Sequence, residues 1–406
     1  MVAGDRLADR IGVGVLTTVF PPELVDRVVD EAGVREQRTR TLPAQVVVYY
    51  LLAMVLFFQS GYGEVRGKLV AGLDWARRFR SRLEPGMQPS PAAITYARQR
   101  LGWPVMERLL EAVAGSLAGE EHERALVSGM RLVAIDGMCL DLPDNEENGA
   151  EFGYPGNGGG RGPFPQIRVA GLAECGTRAV LGAATSGLAA GEQPLARQLL
   201  GRLSSWDLLL ADRNFLSHGL LGDVLAAGVH VLWRARSDTS LPVLKVLADG
   251  TWLSRIADPA ASRKMRRRGA DPADIPGITV RVIEYTVTSE DGSETPETFT
   301  LVTDIPDPVL LTCERAAAAY AARWQLETCF SELETSLRGG ATVVLRSKSP
   351  PMIRQEIYAM LCCYQAIRTL ISHAADDAGI DPARISFTRA RDAIRSRISD
   401  SGCFSP

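Results

Sequence analysis

Apolar and polar positions change rhythm near residue 130. Before it the spacing is helical. Pro21–Pro22 opens a segment with Leu24, Val25, Val28 and Val29 three and four apart. A nearly unbroken apolar helix follows from Leu42 to Phe58. Its purest stretch, Ala44 to Phe58, is about 15 residues and contains Gln45. A membrane span needs about 20, so this reads as a buried helix. Ser90–Pro91 looks like an N-cap with proline at the first helical position. The next stretch, Ala92 to Leu101, carries Arg98 and Arg100, Gly102 and Pro104 interrupt it, and a further helix runs from Val105 towards Leu117. Helix, short break and helix with arginines fits a helix-turn-helix DNA module, and it fits an ordinary helical bundle as well.

After residue 130 short apolar runs alternate with helical ones. Arg131 to Ile135 is a strand ending in Asp136. Residues 149–165 are glycine-rich and read as a flexible loop; they lack the G-K-[ST] ending of a phosphate-cradling loop. Strand-like runs follow at Gln166–Ala173 and Ala179–Ser186, then a helix around Gln193–Leu203. Trp206 to Ala211 is a strand ending in Asp212, and a helix over about Ser217–Ala227 leads to a strand at Val229–Ala235. Residues 238–306 break the alternation with prolines, glycines, a basic cluster (Arg263, Lys264, Arg266, Arg267, Arg268) and strand-like runs at Ile278–Val287 and Thr298–Thr303. This is a β-rich insertion. A long helix from about Cys313 to Leu337 and a helical block over Pro351–His373 close the pattern, and a tail resumes at Asp381. No internal repeat or low-complexity tract appears.

Composition narrows the class. A chain of 406 residues is too long for one ordinary core and suggests two or three domains. Hydrophobic residues make up 46%, enough for a globular fold. A net charge of −3 argues against a histone-like binder but allows an enzyme with a local basic channel. The 7 cysteines form no C-x-x-C pair and read as reduced thiols of a cytosolic protein. Asp5, Arg6, Asp9 and Arg10 interrupt the start, so no signal peptide is expected.

Three acids carry the candidate chemistry. Asp136 and Asp212 each end an apolar strand, where catalytic groups of an open α/β sheet collect; a lone strand-end aspartate is often only a turn residue. Tyr320, Arg323, Glu327 and Glu334 share one helical face. That stripe can also be read as a solvated face with Arg323 paired to Glu327. Phosphodiester cleavage needs an attacking oxygen activated and a leaving oxygen neutralised, and two Mg²⁺ ions about 3.5–4 Å apart do both. Two Asp and one Glu suit such oxygen-loving ions.

The segment Y-A-A-R-W-Q-L-E at 320–327 resembles the Y-x2-R-x3-E-x6-K signature of transposases of the insertion-sequence-four family. V-A-I-D-G at 133–137 resembles that family's first Asp motif, and L-L-A-D-R-N-F at 209–215 its second. The resemblance extends from about residue 15 to the end. It implies an α/β ribonuclease H-like catalytic core interrupted by a β-rich insertion, with an all-α N-terminal domain. The parts would be a helical DNA-binding domain at 1–125, the core at 126–237 and 307–375 (the latter holding the Glu helix), the insertion at 238–306 and a C-terminal tail at 376–406. Asp136, Asp212 and Glu327 would bind two Mg²⁺ ions, with Mn²⁺ able to substitute. Tyr320 and Arg323 would contact the DNA backbone, Arg213 would help hold the site or the phosphate, and Trp324 would either stack on a base or lie in the core. Arg98, Arg100, Arg346 and Lys348 would be further DNA contacts. The expected partners are double-stranded DNA, as terminal inverted repeats and target, and a second copy of the chain in a synaptic complex. The expected location is the bacterial cytoplasm, at the nucleoid when DNA-bound. One position departs: the family's Lys is Glu334 here, an anion where phosphate wants a cation. With the short C-terminus, it motivates an alternative, an impaired transposase that only binds DNA.

Overall fold

The strands after residue 125 build one mixed sheet. In chain order they are β1 (Leu126–Val127), β2 (Met130–Asp141), β3 (Gly156–Asn157), β4 (Gly160–Arg161), β5 (Gln166–Glu174), β6 (Val180–Gly187), β7 (Asp207–Ala211), β8 (His230–Arg234), β9 (Lys245–Val246), β10 (Trp252–Ala257), β11 (Gly277–Val287) and β12 (Glu297–Thr303). β3 and β4 form a separate small hairpin, and the main path runs β6-β5-β2-β7-β8-β12-β11-β10-β9, with β1 beside β2. This is a computed structural model, and it describes residues 17–38, 42–61, 63–65, 90–118, 123–157, 160–288, 296–340 and 343–399.

The centre of the sheet explains its sequence. β2 and β7 pair in parallel, as do β7 and β8, while β2 pairs antiparallel with β5. Both faces of these strands are covered, so β7 reads D-L-L-L-A with every residue buried. The side chains still alternate. Leu132, Ala134, Leu208 and Leu210 join one core, and Val133, Ile135, Leu209 and Ala211 join the other. The helices, in chain order, are α1 (Pro22–Glu31), α2 (Ala44–Leu56), α3 (Pro91–Leu101), α4 (Pro104–Val113), α5 (Glu146–Phe152), α6 (Glu192–Leu199), α7 (His218–Ala226), α8 (Pro259–Arg266), α9 (Cys313–Ala321), α10 (Trp324–Glu332), α11 (Pro350–Ala378) and α12 (Phe387–Ser399). α6 and α7 supply Leu195, Leu199, Leu220 and Val224 to the second core. α11, 29 residues long, lies in the first core beside α2 and α4. The N-terminal helices therefore share apolar packing with α11 and with the β2–β7 face, and the change near 125 is one of secondary structure rather than a gap between cores. α2 is buried on almost every side, which is why its residues show no polar face. No helix of the described residues is long and apolar enough to cross a membrane.

Two of the expected elements differ, the glycine-rich loop and the long Cys313–Leu337 helix. β10, β11 and β12, within residues 238–306, extend the core sheet through the pairing of β12 with β8. The basic cluster falls mostly on α8. Part of the glycine-rich stretch is helical: Asn145 caps α5 by accepting from Asn148 N–H. The expected Cys313–Leu337 helix is broken into α9, α10 and a wider π turn at Leu333–Leu337. At the first break, Arg323 N–H bonds to Tyr320 O, Gln325 N–H to Ala322 O and Leu326 N–H to Arg323 O, three residues back rather than four.

Candidate active site

The parallel register places the two aspartates. Ala134 lies opposite Leu210 in the β2–β7 ladder. Continuing two residues along both strands brings Asp136 level with Asp212, just past the last residue of β7. β2 itself runs on to Asp141, still paired with β5, so Asp136 is not the end of its strand as expected but the point where the parallel pairing stops. Side chains level on neighbouring parallel strands point the same way, which puts both carboxyls at one mouth of the sheet. Asp136 Oδ1 accepts from Gly137 N–H at 2.8 Å, and Asp212 Oδ1 accepts from Asn214 N–H at 2.9 Å.

The third acid is joined to the first by an arginine. Arg323 sits in the break between α9 and α10. It donates through Nη1 to Asp136 Oδ2 at 3.0 Å and through Nη2 to Glu327 Oε1 at 2.8 Å. Burial raises the Asp136 carboxyl to about 6; the Gly137 N–H and Arg323 oppose the rise, and the charges of Asp212 and Glu327 add to it. The Arg323 bridge joins Asp136 to Glu327, and the strand register sets Asp212 beside Asp136, which gathers the three into one candidate site. Their oxygen donors suit a hard divalent ion. Among the described residues, however, no three His, Cys, Asp or Glu side chains stand ready to hold a metal in this conformation, and a guanidinium links two of the three candidates.

Other expected site residues fall into distinct places. Tyr320 is buried, edge-on to Phe299 and 5.8 Å from the Arg323 guanidinium, and burial pushes its hydroxyl up to about 12. The ring, 2% exposed, forms a wall beside Arg323. Trp324 is 55% exposed and 5.2 Å from Arg323, so the core reading of that tryptophan fails. Arg213 is exposed beside Asp212. Arg98 is 1% exposed, with Nε on Gln355 Oε1 at 3.0 Å and Nη2 on Ser347 Oγ at 2.8 Å. Arg100 is half-buried and held by Leu42 O at 2.7 Å and Glu36 Oε1 at 3.3 Å, within the helical region. Arg346 donates to Ser60 O at 3.0 Å and lies over Phe58, while Lys348 is exposed. Arg98, Arg346 and Lys348 do line one cleft of about 700 Å³, away from the acids. Glu334 pairs with buried Arg338 at 3.1 Å, so the anion in the family's Lys position is neutralised one turn on.

Two residues escaped the sequence reading. Glu192, in the first turn of α6, is half-buried against Gly137: a Cβ there would lie 2.8 Å from Glu192 Oε1. Burial raises the Glu192 carboxyl, with Asp212 adding to the rise. Arg236, just beyond β8, donates to Asn214 Oδ1 at 3.1 Å and so sits on the Asp212 loop. For Glu192, the only available signal was an acid at a predicted helix start; for Arg236, a cation just after a predicted strand.

Register-matched aspartates on a ribonuclease H-like sheet, with a glutamate brought to them from a helix, define the class of DDE nucleotidyl-transfer domains. The Transposase DDE domain family matches residues 127–366, and the Insertion element 4 transposase N-terminal family matches residues 10–111. The chain belongs to the DDE transposases of the insertion-sequence-four type. It is 27% identical over 375 residues to the transposase InsG for insertion sequence element IS4 of Escherichia coli (strain K12), covering 91% of this chain and 79% of that one. The putative transposase InsZ of the same organism is 29% identical over 143 residues, 35% of this chain and 48% of InsZ. Among solved structures, a piggyBac transposase synaptic complex with hairpin DNA matches at 11% identity and a TM-score of 0.48, over 98% of this chain and 82% of that one.

Proposed function

We propose that this chain moves an insertion sequence by cut-and-paste transposition, cleaving at terminal inverted repeats and joining the freed ends to target DNA. The observation that carries the reading is the bridge by which Arg323 joins Asp136 to Glu327, with Asp212 level with Asp136 on the neighbouring strand. Asp136, Asp212 and Glu327 are the residues that would hold Mg²⁺, or Mn²⁺ in its place; a bound pair of ions activates the attacking oxygen and neutralises the leaving one. Arg323 holds a bridging phosphate through its planar fork. Arg213 and Arg236 keep the backbone at the mouth, and Lys348 holds it along the separate cleft. Trp324, exposed beside Arg323, offers a face on which a base at the processed end stacks. Residues 1–125 recognise the repeat, and a second copy of the chain joins the synaptic complex.

Glu334 supports a second reading, a DNA-binding remnant that no longer cuts. Its pairing with Arg338 weakens that reading, because the local charge is already balanced. The test is a strand-transfer assay with Mg²⁺ and a labelled duplex carrying the repeat and its flank, comparing wild type with Glu334→Lys. The expected result is joined product from the wild type and at most a severalfold gain for Glu334→Lys. Joined product only from Glu334→Lys establishes the remnant. Cleavage without any joining makes the protein a nuclease on the same fold.

A further inference from the structure

We infer that Arg323 is an internal counter-ion that keeps metal off Asp136 and Glu327 until a DNA phosphate takes the guanidinium away. The inference rests on the transposase reading above and adds to it a coupling between two ligands of one site.

The geometry gives the reason. Arg323 spends both terminal nitrogens on acids, Nη1 on Asp136 at 3.0 Å and Nη2 on Glu327 at 2.8 Å. Its side chain is only 8% exposed, whereas that of Glu327 is 39% exposed. The pair is therefore partly withdrawn from water, which strengthens the attraction between the guanidinium and the two carboxylates. A divalent ion entering between these carboxylates meets a fixed positive charge where it needs negative oxygen. It must either displace Arg323 or bind weakly beside it.

Arg323 is also poised to be taken. Its Nε is buried without a hydrogen-bond partner, so the guanidinium is not fully satisfied where it lies. It stands at the break between α9 and α10, where the bonds run three residues back and the ladder is interrupted. Exposed Trp324 adjoins it and marks the open side. A phosphate presents the same two-oxygen edge as a carboxylate and suits the same fork. When a phosphate binds Arg323, Asp136 and Glu327 lose their counter-ion together and become a cation site. By linkage, DNA must then tighten metal binding by the factor by which metal tightens DNA binding.

The test is Mn²⁺ binding, read from the free-ion magnetic resonance signal, on the full chain with and without a repeat duplex already cleaved at its boundary. For the wild type, the expected result is weak binding alone and binding tighter by about 10-fold or more with DNA. Arg323→Ala is expected to bind Mn²⁺ about 10-fold tighter than wild type without DNA, with little further change when DNA is added. Arg323→Lys, too short to span both acids, should move the same way and serves if the alanine variant is unstable. Equal wild-type affinity with and without DNA overturns the inference, as does an Arg323 variant that gains nothing. Asp136→Asn separates the two levels. If it binds Mn²⁺ as the wild type does with DNA present, the metal reading falls and the inference with it. If it loses Mn²⁺ while the Arg323 variants gain none, only the inference falls.

Discussion

Asp136 carries a carboxyl that folding makes harder to ionise, and that has a measurable consequence. Its ordinary value is 3.8 and burial takes it to about 6 in the fold. The folded state therefore binds the proton more tightly than the unfolded chain. The site's contribution is most favourable at low pH and is lost as pH rises through roughly 4 to 6, by on the order of 3 kcal/mol at most. Asp136→Asn removes the charge, so in metal-free protein the variant should match wild type near pH 4 and melt a few degrees higher at pH 7.5. A variant no more stable than wild type at pH 7.5 contradicts this. The residue scale is also where the sequence was most informative. Asp136 and Asp212 were legible because each follows a run of buried aliphatics at the same register. Glu192 was not, because its relation to Asp212 and Gly137 is set by how α6 docks, and nothing local records that.

Elements were legible in kind but less so in their ends and faces. Most helices and strands fall within a few residues of the apolar runs that predict them. The Cys313–Leu337 run looked continuous because the dihedrals stay helical at Arg323 while the bonding shortens, and side-chain spacing does not register such a change. That break nevertheless governs where Arg323 points. α3 shows a different limit. Ile94, Ala97, Arg98 and Leu101 form its buried stripe, so Arg98 belongs to the core face by spacing, although its charge suggested DNA. Arg98 clamps α3 to α11, and Gln355 answers with Nε2 on Arg98 O at 3.0 Å. Arg98→Ala is expected to lose about 3 kcal/mol of stability by chemical denaturation, because Gln355 and Ser347 stay buried without it. Arg100→Ala should lose under about 1 kcal/mol. An Arg98→Ala protein of wild-type stability but reduced DNA affinity would make Arg98 a DNA contact instead.

At the scale of the whole molecule, one sheet serves both as scaffold and as the base of the site. The pairing of β12 with β8 was beyond sequence reading, since strand pairing across about 70 residues leaves no periodic trace. Exposed Trp324 stands beside Arg323, and Arg213 and Arg236 flank the Asp212 loop. Asp136, Asp212 and Glu327 are proposed to act together in DNA cleavage. The most direct measurement is single-turnover cleavage of a repeat-end duplex in Mg²⁺ by Asp136→Asn, Asp212→Asn and Glu327→Gln, with DNA affinity measured in parallel. Each variant is predicted to cut about 10³-fold more slowly, some 4 kcal/mol in the barrier, with DNA still bound. Wild-type cleavage by any one of the three would contradict the account.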